Sequence, residues 1–218
     1  MREPRILVLN PNSSESVTEG LRRALAPLCL EGGPRIECAT LEGAPPAIES
    51  DADVAAVEGR VRDWCKAREG RAGAFVIACF SDPGIALARN AVRGPVFGMA
   101  ESGYLSAMAR GERFGVISIL SGSVPRHLRY VERLGIASRL AADLPLELGV
   151  LELDDGARTL PRMTEVGRQL RDEHGAASVI MGCAGMARYR GPLETALGIP
   201  VIEPVQAAVA MAMGAVLL

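Results

Sequence analysis

Three features of this 218-residue chain predict an α/β fold of two pseudo-symmetric, doubly wound parallel-sheet lobes with the active site in the cleft between them. Short apolar runs alternate with amphipathic stretches, the βαβ order of a parallel sheet covered by helices. The runs are continuously apolar, as strands buried on both faces must be. The series also occurs twice, and each copy carries a cysteine at the end of a buried strand, in AFVIACFSDPG (74–84) and in SVIMGC (178–183).

Taken in order, RILVLN (5–10) opens as a strand, a helix is expected from Ser14 to Leu30, and RIECAT (35–40) is the next strand. A helix from Asp51 to Arg68 leads to AFVIAC, a helix over 84–91, a strand in GPVFGMA (94–100) and a helix from Glu101 to Arg110. The pattern restarts at RFGVIS (113–118), then gives a helix from Ser123 to Gly135, a central stretch rich in Leu and acidic residues, a helix over 160–174, and SVIMGC. Each cysteine is followed by a turn, a short helix and then GPV (94–96) or IPV (199–201). Such duplication predicts two lobes: residues 1–97 with a returning C-terminal helix at 205–218, and residues 98–204.

Composition narrows the function. The chain is 49% hydrophobic and 23% charged, as expected of a globular protein. A net charge of −2 with dispersed arginines gives no basic stripe, so nucleic acid is not an expected partner. The apolar run before Asn10 is too short for a secretory signal, and PVQAAVAMAMGAVLL reads as a buried terminal helix, since a membrane span needs ~18 apolar residues. A cytoplasmic location without membrane association is expected. Five cysteines with no CxxC pair and only two histidines argue against a disulfide framework or a zinc site and for free thiols in a reducing compartment. Lys66, the sole lysine, lies in a polar helical stretch, and NPNSS has no phosphate-loop pattern. No cofactor is therefore expected.

In open α/β sheets the ligand crevice lies beyond the carboxyl ends of the strands, where the pattern sets both Cys79 and Cys183. Two facing lobes would hold one thiol on each side of a small-molecule substrate. The following residues, Phe80, Ser81 and Asp82 in one lobe and Ala184, Gly185 and Met186 in the other, are expected to turn into a helix. Its N–H groups would bind an anionic oxygen, and its dipole would lower the thiol pKa. Such a group suits proton transfer at a carbon next to a carbonyl, and two on opposite faces invert a stereocentre. Phe80, Ser81, Asp82, Ala184 and Gly185 are candidate substrate contacts. Cys29, Cys38 and Cys65 read as small packed hydrophobes.

Asn10 and Asn12 stand at the end of the first strand, where their amides suit either substrate contact or turn chemistry, with Ser13 or Ser14 capping the next helix. Ser118 is the counterpart of Asn10 in the second lobe and a further candidate contact. Glu101 at a helix start reads as structural. His127 and His174 read as surface residues, and Arg110 and Arg113 as a solvated face.

The motifs NPNSS (10–14), ACFSDPG (78–84), GMAES (98–102), RFGVIS (113–118), GCAGM (182–186) and IPVIEPV (199–205) together resemble the aspartate/glutamate/hydantoin racemase superfamily over essentially the whole chain, and most of all its hydantoin and allantoin racemases. That resemblance implies cofactor-independent racemisation by an acid/base pair matching Cys79 and Cys183, in a homo-oligomer. This chain departs from the usual pattern at Ser81, at Ser118-Ile119 and in PVIEPV, which leaves the substrate open. A neutral cyclic amide fits Asn10 better than an amino acid, whose ammonium group calls for a carboxylate there. An amino-acid racemase and a non-catalytic small-molecule-binding module remain the alternatives.

Overall fold

Alternating apolar and amphipathic segments give a strand followed by a covering helix, repeated through the computed structural model, which describes residues 4–218. The first half contains β1 (Arg5–Asn10), α1 (Glu15–Leu25), β2 (Arg35–Thr40), α2 (Asp51–Lys66), β3 (Ala74–Ile77), α3 (Ile85–Ala91), β4 (Val96–Gly98) and α4 (Met99–Met108). The second contains β5 (Phe114–Ser118), α5 (Val124–Arg133), β6 (Leu140–Pro145), α6 (Gly156–Asp172), β7 (Ser178–Met181), α7 (Arg190–Leu197), β8 (Val201–Ile202) and α8 (Pro204–Leu217). Two compact units result, one reaching Ser102 and including Val205–Leu218, the other formed by Gly103–Pro204.

Each unit holds one four-stranded sheet, ordered β2-β1-β3-β4 and β6-β5-β7-β8, and every strand pair is parallel. The registers repeat as well: Leu9 pairs with Ile77, and Ile117 with Met181. In both sheets the chain leaves the first strand to one side and returns on the other, so the switch point lies at β1/β3 and at β5/β7.

Local chemistry explains the elements. Ser14 caps α1 by accepting from the Val17 amide. Ser50 and Asp53 form a reciprocal capping box at α2, worth about 1 kcal/mol. Val57, Val61, Trp64 and Cys65 share one face of α2 and join Leu7, Leu9, Phe75 and Ile77 in the first core, with Trp64 edge-on to Phe75 at 6.2 Å. In the second unit Tyr104 stacks on Phe114 at 5.5 Å and meets Tyr130 edge-on at 6.0 Å.

Several boundaries differ from expectation. The first helix stops at Leu25 and continues as a 3-10 turn, Ala26–Leu28, because Pro27 cannot donate to an α-helical ladder. β4 and β8 are short, three and two residues, and α4 begins at Met99. The stretch rich in Leu and acidic residues contains an unanticipated strand, β6, and a 3-10 turn at Val150–Asp154. α8 buries Val205, Ala208, Val209 and Ala212 along one face, and Gln206 Nε2 donates to the Ala24 carbonyl at 2.7 Å. Among the described residues no helix is long and apolar enough to cross a membrane.

Candidate active site

In the first unit, the Ala78 amide donates to the Leu9 carbonyl at 2.8 Å, so Asn10 and Cys79 each stand one residue beyond this last rung between β1 and β3. The Cys79 carbonyl then accepts from the Asp82 amide at 2.9 Å, closing a turn over Phe80 and Ser81. The turn does not pass straight into a helix, and the one expected over 84–91 follows at Ile85. Asp82 takes a positive φ of 44°, Pro83 follows, and Gly84 has φ 69°, so α3 begins only at Ile85. Gly84 is required: a Cβ there would lie 2.5 Å from the Glu58 carbonyl oxygen. The dipole of α3 thus begins six residues beyond Cys79.

Asp82 anchors a different helix. Its Oδ1 accepts from the Ala100 amide and its Oδ2 from the Glu101 amide, both at 2.9 Å, so the carboxylate covers the positive end of α4. Gly98 makes room for it, since a Cβ would come within 2.2 Å of Asp82 Oδ2. Glu101 pairs with Arg89 at 3.0 Å, the structural placement expected of it.

Asn10 is almost wholly buried, and its Nδ2 lies within hydrogen-bond distance of Asn12 Oδ1 (2.7 Å), the Ser14 carbonyl (3.0 Å) and Thr18 Oγ1 (3.0 Å). Its Oδ1 accepts from the Asn12 amide at 3.2 Å, and Asn12 Oδ1 accepts from the Ser14 amide at 2.9 Å. Thr18 continues the network to Thr40 on β2 at 2.7 Å. The side-chain amide donors of Asn10 therefore tie the end of β1 to α1.

The second unit repeats the arrangement around Cys183. The Gly182 amide donates to the Ile117 carbonyl at 2.8 Å, so Ser118 and Cys183 stand one residue beyond the corresponding rung. The Cys183 carbonyl accepts from the Met186 amide at 3.1 Å, and a 3-10 helix runs through Ala184–Tyr189 into α7. Here the expected helix does follow the cysteine, and the amides of Ala184 and Gly185 open it with no acceptor inside it. Gly185 also admits Leu153, whose Cδ1 would stand 3.0 Å from an added Cβ. Tyr189 Oη donates to the Leu153 carbonyl at 2.5 Å, and Arg188 pairs with Asp154, so the turn at Val150–Asp154 is pinned against the Cys183 segment.

Ser118 belongs to a buried cluster that the sequence reading missed. Its Oγ donates to Asp143 Oδ1, and His127 Nδ1 lies 2.8 Å from Asp143 Oδ2 and 3.1 Å from Ser118 Oγ. His127 is 3% exposed, not a surface residue. The signal was the helical spacing of His127, Tyr130 and Val131, which share the buried face of α5. Asp143 escaped notice because it lies on the unanticipated strand β6.

The other thiols differ among themselves. Burial pushes Cys38 up to about 11, with Arg22 partly opposing it, and pushes Cys65 up to about 12, so both resist ionisation. Cys29 is exposed, contrary to its reading as a packed thiol, because it follows the 3-10 turn that ends α1 at the surface. Arg113 is exposed, as expected, and its guanidinium holds the carbonyls of Leu140, Ala141 and His174. Among the described residues no group of three His, Cys, Asp or Glu side chains is disposed to hold a metal ion.

The chain matches the family model for Asp/Glu/Hydantoin racemase over residues 6–212. It is 35% identical to a hydantoin racemase of Paenarthrobacter aurescens, covering 94% of this chain and 87% of that protein. It is 32% identical to a hydantoin racemase of Pseudomonas sp. (strain NS671), covering 95% and 84%. Among solved structures, an allantoin racemase from Klebsiella pneumoniae superposes with a TM-score of 0.92 at 32% identity, over 99% of this chain and 88% of that one.

Proposed function

Because the chain belongs to the Asp/Glu/hydantoin racemase family and is an isomerase of the racemase type, we propose that it inverts the stereocentre alpha to a carbonyl in a 5-substituted hydantoin, allantoin or a similar cyclic amide, using Cys79 and Cys183. The observation that carries this reading is the duplicated seat of the two thiols. Each cysteine lies one residue past the last rung between equivalent parallel strands, and each carbonyl closes a turn to the third residue on. Packing alone gives no reason for that repetition.

In the proposed reaction one cysteine, as thiolate, takes the α-proton and leaves an enolate. The other, as thiol, delivers a proton to the opposite face, which inverts the carbon. Exchange of the two protons with water restores the starting charge state. The Ala184 and Gly185 amides suit the enolate oxygen, since N–H donors held in place gain strength as charge develops there. Phe80, Ser81 and Asp82 frame the Cys79 turn, with Ser81 the half-exposed member and nearest in character to a substrate contact. Asn10, Asn12 and Ser118 hold the strand ends beside the thiols. A neutral substrate is supported by Asn10, since no carboxylate stands there for an ammonium group.

Cofactor independence is part of the same reading. Lys66, the one lysine, is exposed on α2, and the β1–α1 turn carries a cap in place of a phosphate loop. Five thiols outside any CxxC pair suit the cytoplasm, and a homo-oligomer is inferred from resemblance to the family.

The test is proton NMR in D2O with 5-methylhydantoin, 5-benzylhydantoin, allantoin, aspartate and glutamate, on the wild type and on Cys79→Ser and Cys183→Ser. Each substitution is expected to reduce racemisation by ~10²–10⁴-fold, while each variant still exchanges the α-proton of one enantiomer, opposite in the two cases. Near wild-type racemisation by either variant, or exchange of the same enantiomer by both, overturns the paired assignment. Preference for aspartate or glutamate over every cyclic amide overturns the substrate class.

A further inference from the structure

The cluster of Ser118, His127 and Asp143 takes no part in the proton transfers proposed above, yet it is buried, polar and beside Cys183. Its geometry fixes its protons. His127 Nδ1 lies 2.8 Å from a carboxylate oxygen, an acceptor, so Nδ1 carries hydrogen and donates to Asp143 Oδ2. Ser118 Oγ gives its only proton to Asp143 Oδ1. Each oxygen of the buried carboxylate thus receives a donor, which is what keeps such a group tolerable away from water. This is not the relay of a serine hydrolase, in which hydroxyl and carboxylate bind different ring nitrogens. Here both approach Nδ1, and the hydroxyl proton goes to the carboxylate. The cluster restrains Ser118 and does not activate it.

The backbone around Ser118 in turn bounds Cys183. The carbonyl of Ile117 accepts from the Gly182 amide at 2.8 Å. A Cβ on Gly182 would lie 2.6 Å from that oxygen and 3.3 Å from Ser118 Cα, so the peptide leading into Cys183 rests directly on Ile117 and Ser118. We propose that His127 and Asp143 are positioning residues for Cys183: they tie the end of β5 to α5 and β6 through Ser118, and so hold the Gly182–Cys183 peptide in register for proton transfer. The first lobe has a neutral counterpart, in which Asn10, Asn12, Ser14, Thr18 and Thr40 restrain the end of β1 beside Cys79. Each thiol is therefore set by its own lobe, and His127 and Asp143 act on only one of the two.

This inference rests on Cys183 being one of the two acid/base groups, and the experiment separates the two claims. His127→Phe removes the Nδ1 donor and keeps an aromatic ring, His127→Asn restores a donor near the Nδ1 position, and Ser118→Ala cuts the link from the strand side. The readouts are kcat and KM for allantoin and 5-benzylhydantoin, and the rates at which iodoacetamide labels Cys183 and Cys79, followed peptide by peptide. His127→Phe and Ser118→Ala are expected to lower kcat by up to ~10²-fold, the cost of misplacing a reacting group by about an ångström, with KM little changed. The labelling rate of Cys183 is expected to change several-fold while that of Cys79 holds, and His127→Asn should recover most of both effects.

The proposal is overturned if His127→Phe and Ser118→Ala leave kcat and Cys183 labelling as in the wild type. Both thiols shifting together, or no recovery in His127→Asn, also overturns it, because either outcome marks general loss of structure. Should His127→Phe fail to fold, Ser118→Ala decides by the same readouts. Near wild-type racemisation by Cys183→Ser defeats the two-thiol reading itself, and the labelling data still report whether the cluster positions the thiol.

Discussion

Replacing Asp82 with alanine separates a structural carboxylate from a substrate-binding one. In the folded protein the carboxylate accepts from the Ala100 and Glu101 amides at 2.9 Å each, at the N-terminus of α4. A hydrogen bond to a charged group contributes about 1.5–3 kcal/mol, so losing the pair costs about 3 kcal/mol at the lower bound. That is a factor of roughly 150 in the folding equilibrium, and for a chain of this size it lowers Tm by about 6–12 °C. The bond that closes the turn on the Cys79 carbonyl comes from the Asp82 backbone amide, which alanine keeps, so activity should fall only in step with the loss of folded protein while KM moves little. Urea unfolding with steady-state kinetics provides the assay. A variant with unaltered unfolding midpoint and a large rise in KM would show that Asp82 meets the substrate and that the helix anchor is incidental.

Two further outcomes are expected. Cys38 and Cys65 ionise at 9.0 when unperturbed but hold their protons to about 11 and about 12 when folded. Between those values the unfolded chain binds fewer protons than the folded one, so stability falls as pH rises through that window. Urea midpoints at pH 8 and pH 10 should diverge less in a Cys38→Val/Cys65→Val double variant than in the wild type, and equal divergence would remove these thiols as the cause. Gly84→Ala should be clearly worse than Gly135→Ala, although both glycines have φ near 70°. Each pays about 1–2 kcal/mol for a left-handed residue, but only at Gly84 does the new Cβ strike backbone, 2.5 Å from the Glu58 oxygen. Equal melting temperatures for the two variants would refute the clash.

The sequence exposed the two cysteines because β3 and β7 are buried on both faces, and an unbroken apolar run ending in Cys can be read without a structure. β6 was hidden for the opposite reason. It is an edge strand with only Asp143 fully buried, so LAADLP shows neither a run nor a clean alternation. His127 was obscured by the charged residues around it in HLRYVERL, although its spacing from Tyr130 and Val131 places it on the inner face. The turn after Cys79 was legible as a turn. The helix over 84–91 that follows was legible too, but the left-handed conformations of Asp82 and Gly84 on either side of Pro83 were not, because the room for them depends on Glu58 and Gly98, which are distant in sequence. Asn10 shows the same limit: its position at a strand end could be read, but the acceptors that engage its amide come from a helix and turn whose relative placement only the fold supplies.

The return of α8 to the first unit has a consequence for biosynthesis. Val205–Leu218 leaves the ribosome only after all of Gly103–Pro204, which at ~5–20 residues per second takes on the order of 5–20 s. During that interval the surface that receives Val205, Ala208, Val209 and Ala212 has no cover, and the Ala24 carbonyl lacks Gln206. The usual vectorial order is therefore inverted. The second unit is complete in sequence before the first, and the nascent N-terminal half stays open to chaperones, or to association with a neighbouring nascent chain, until Val205–Leu218 has emerged.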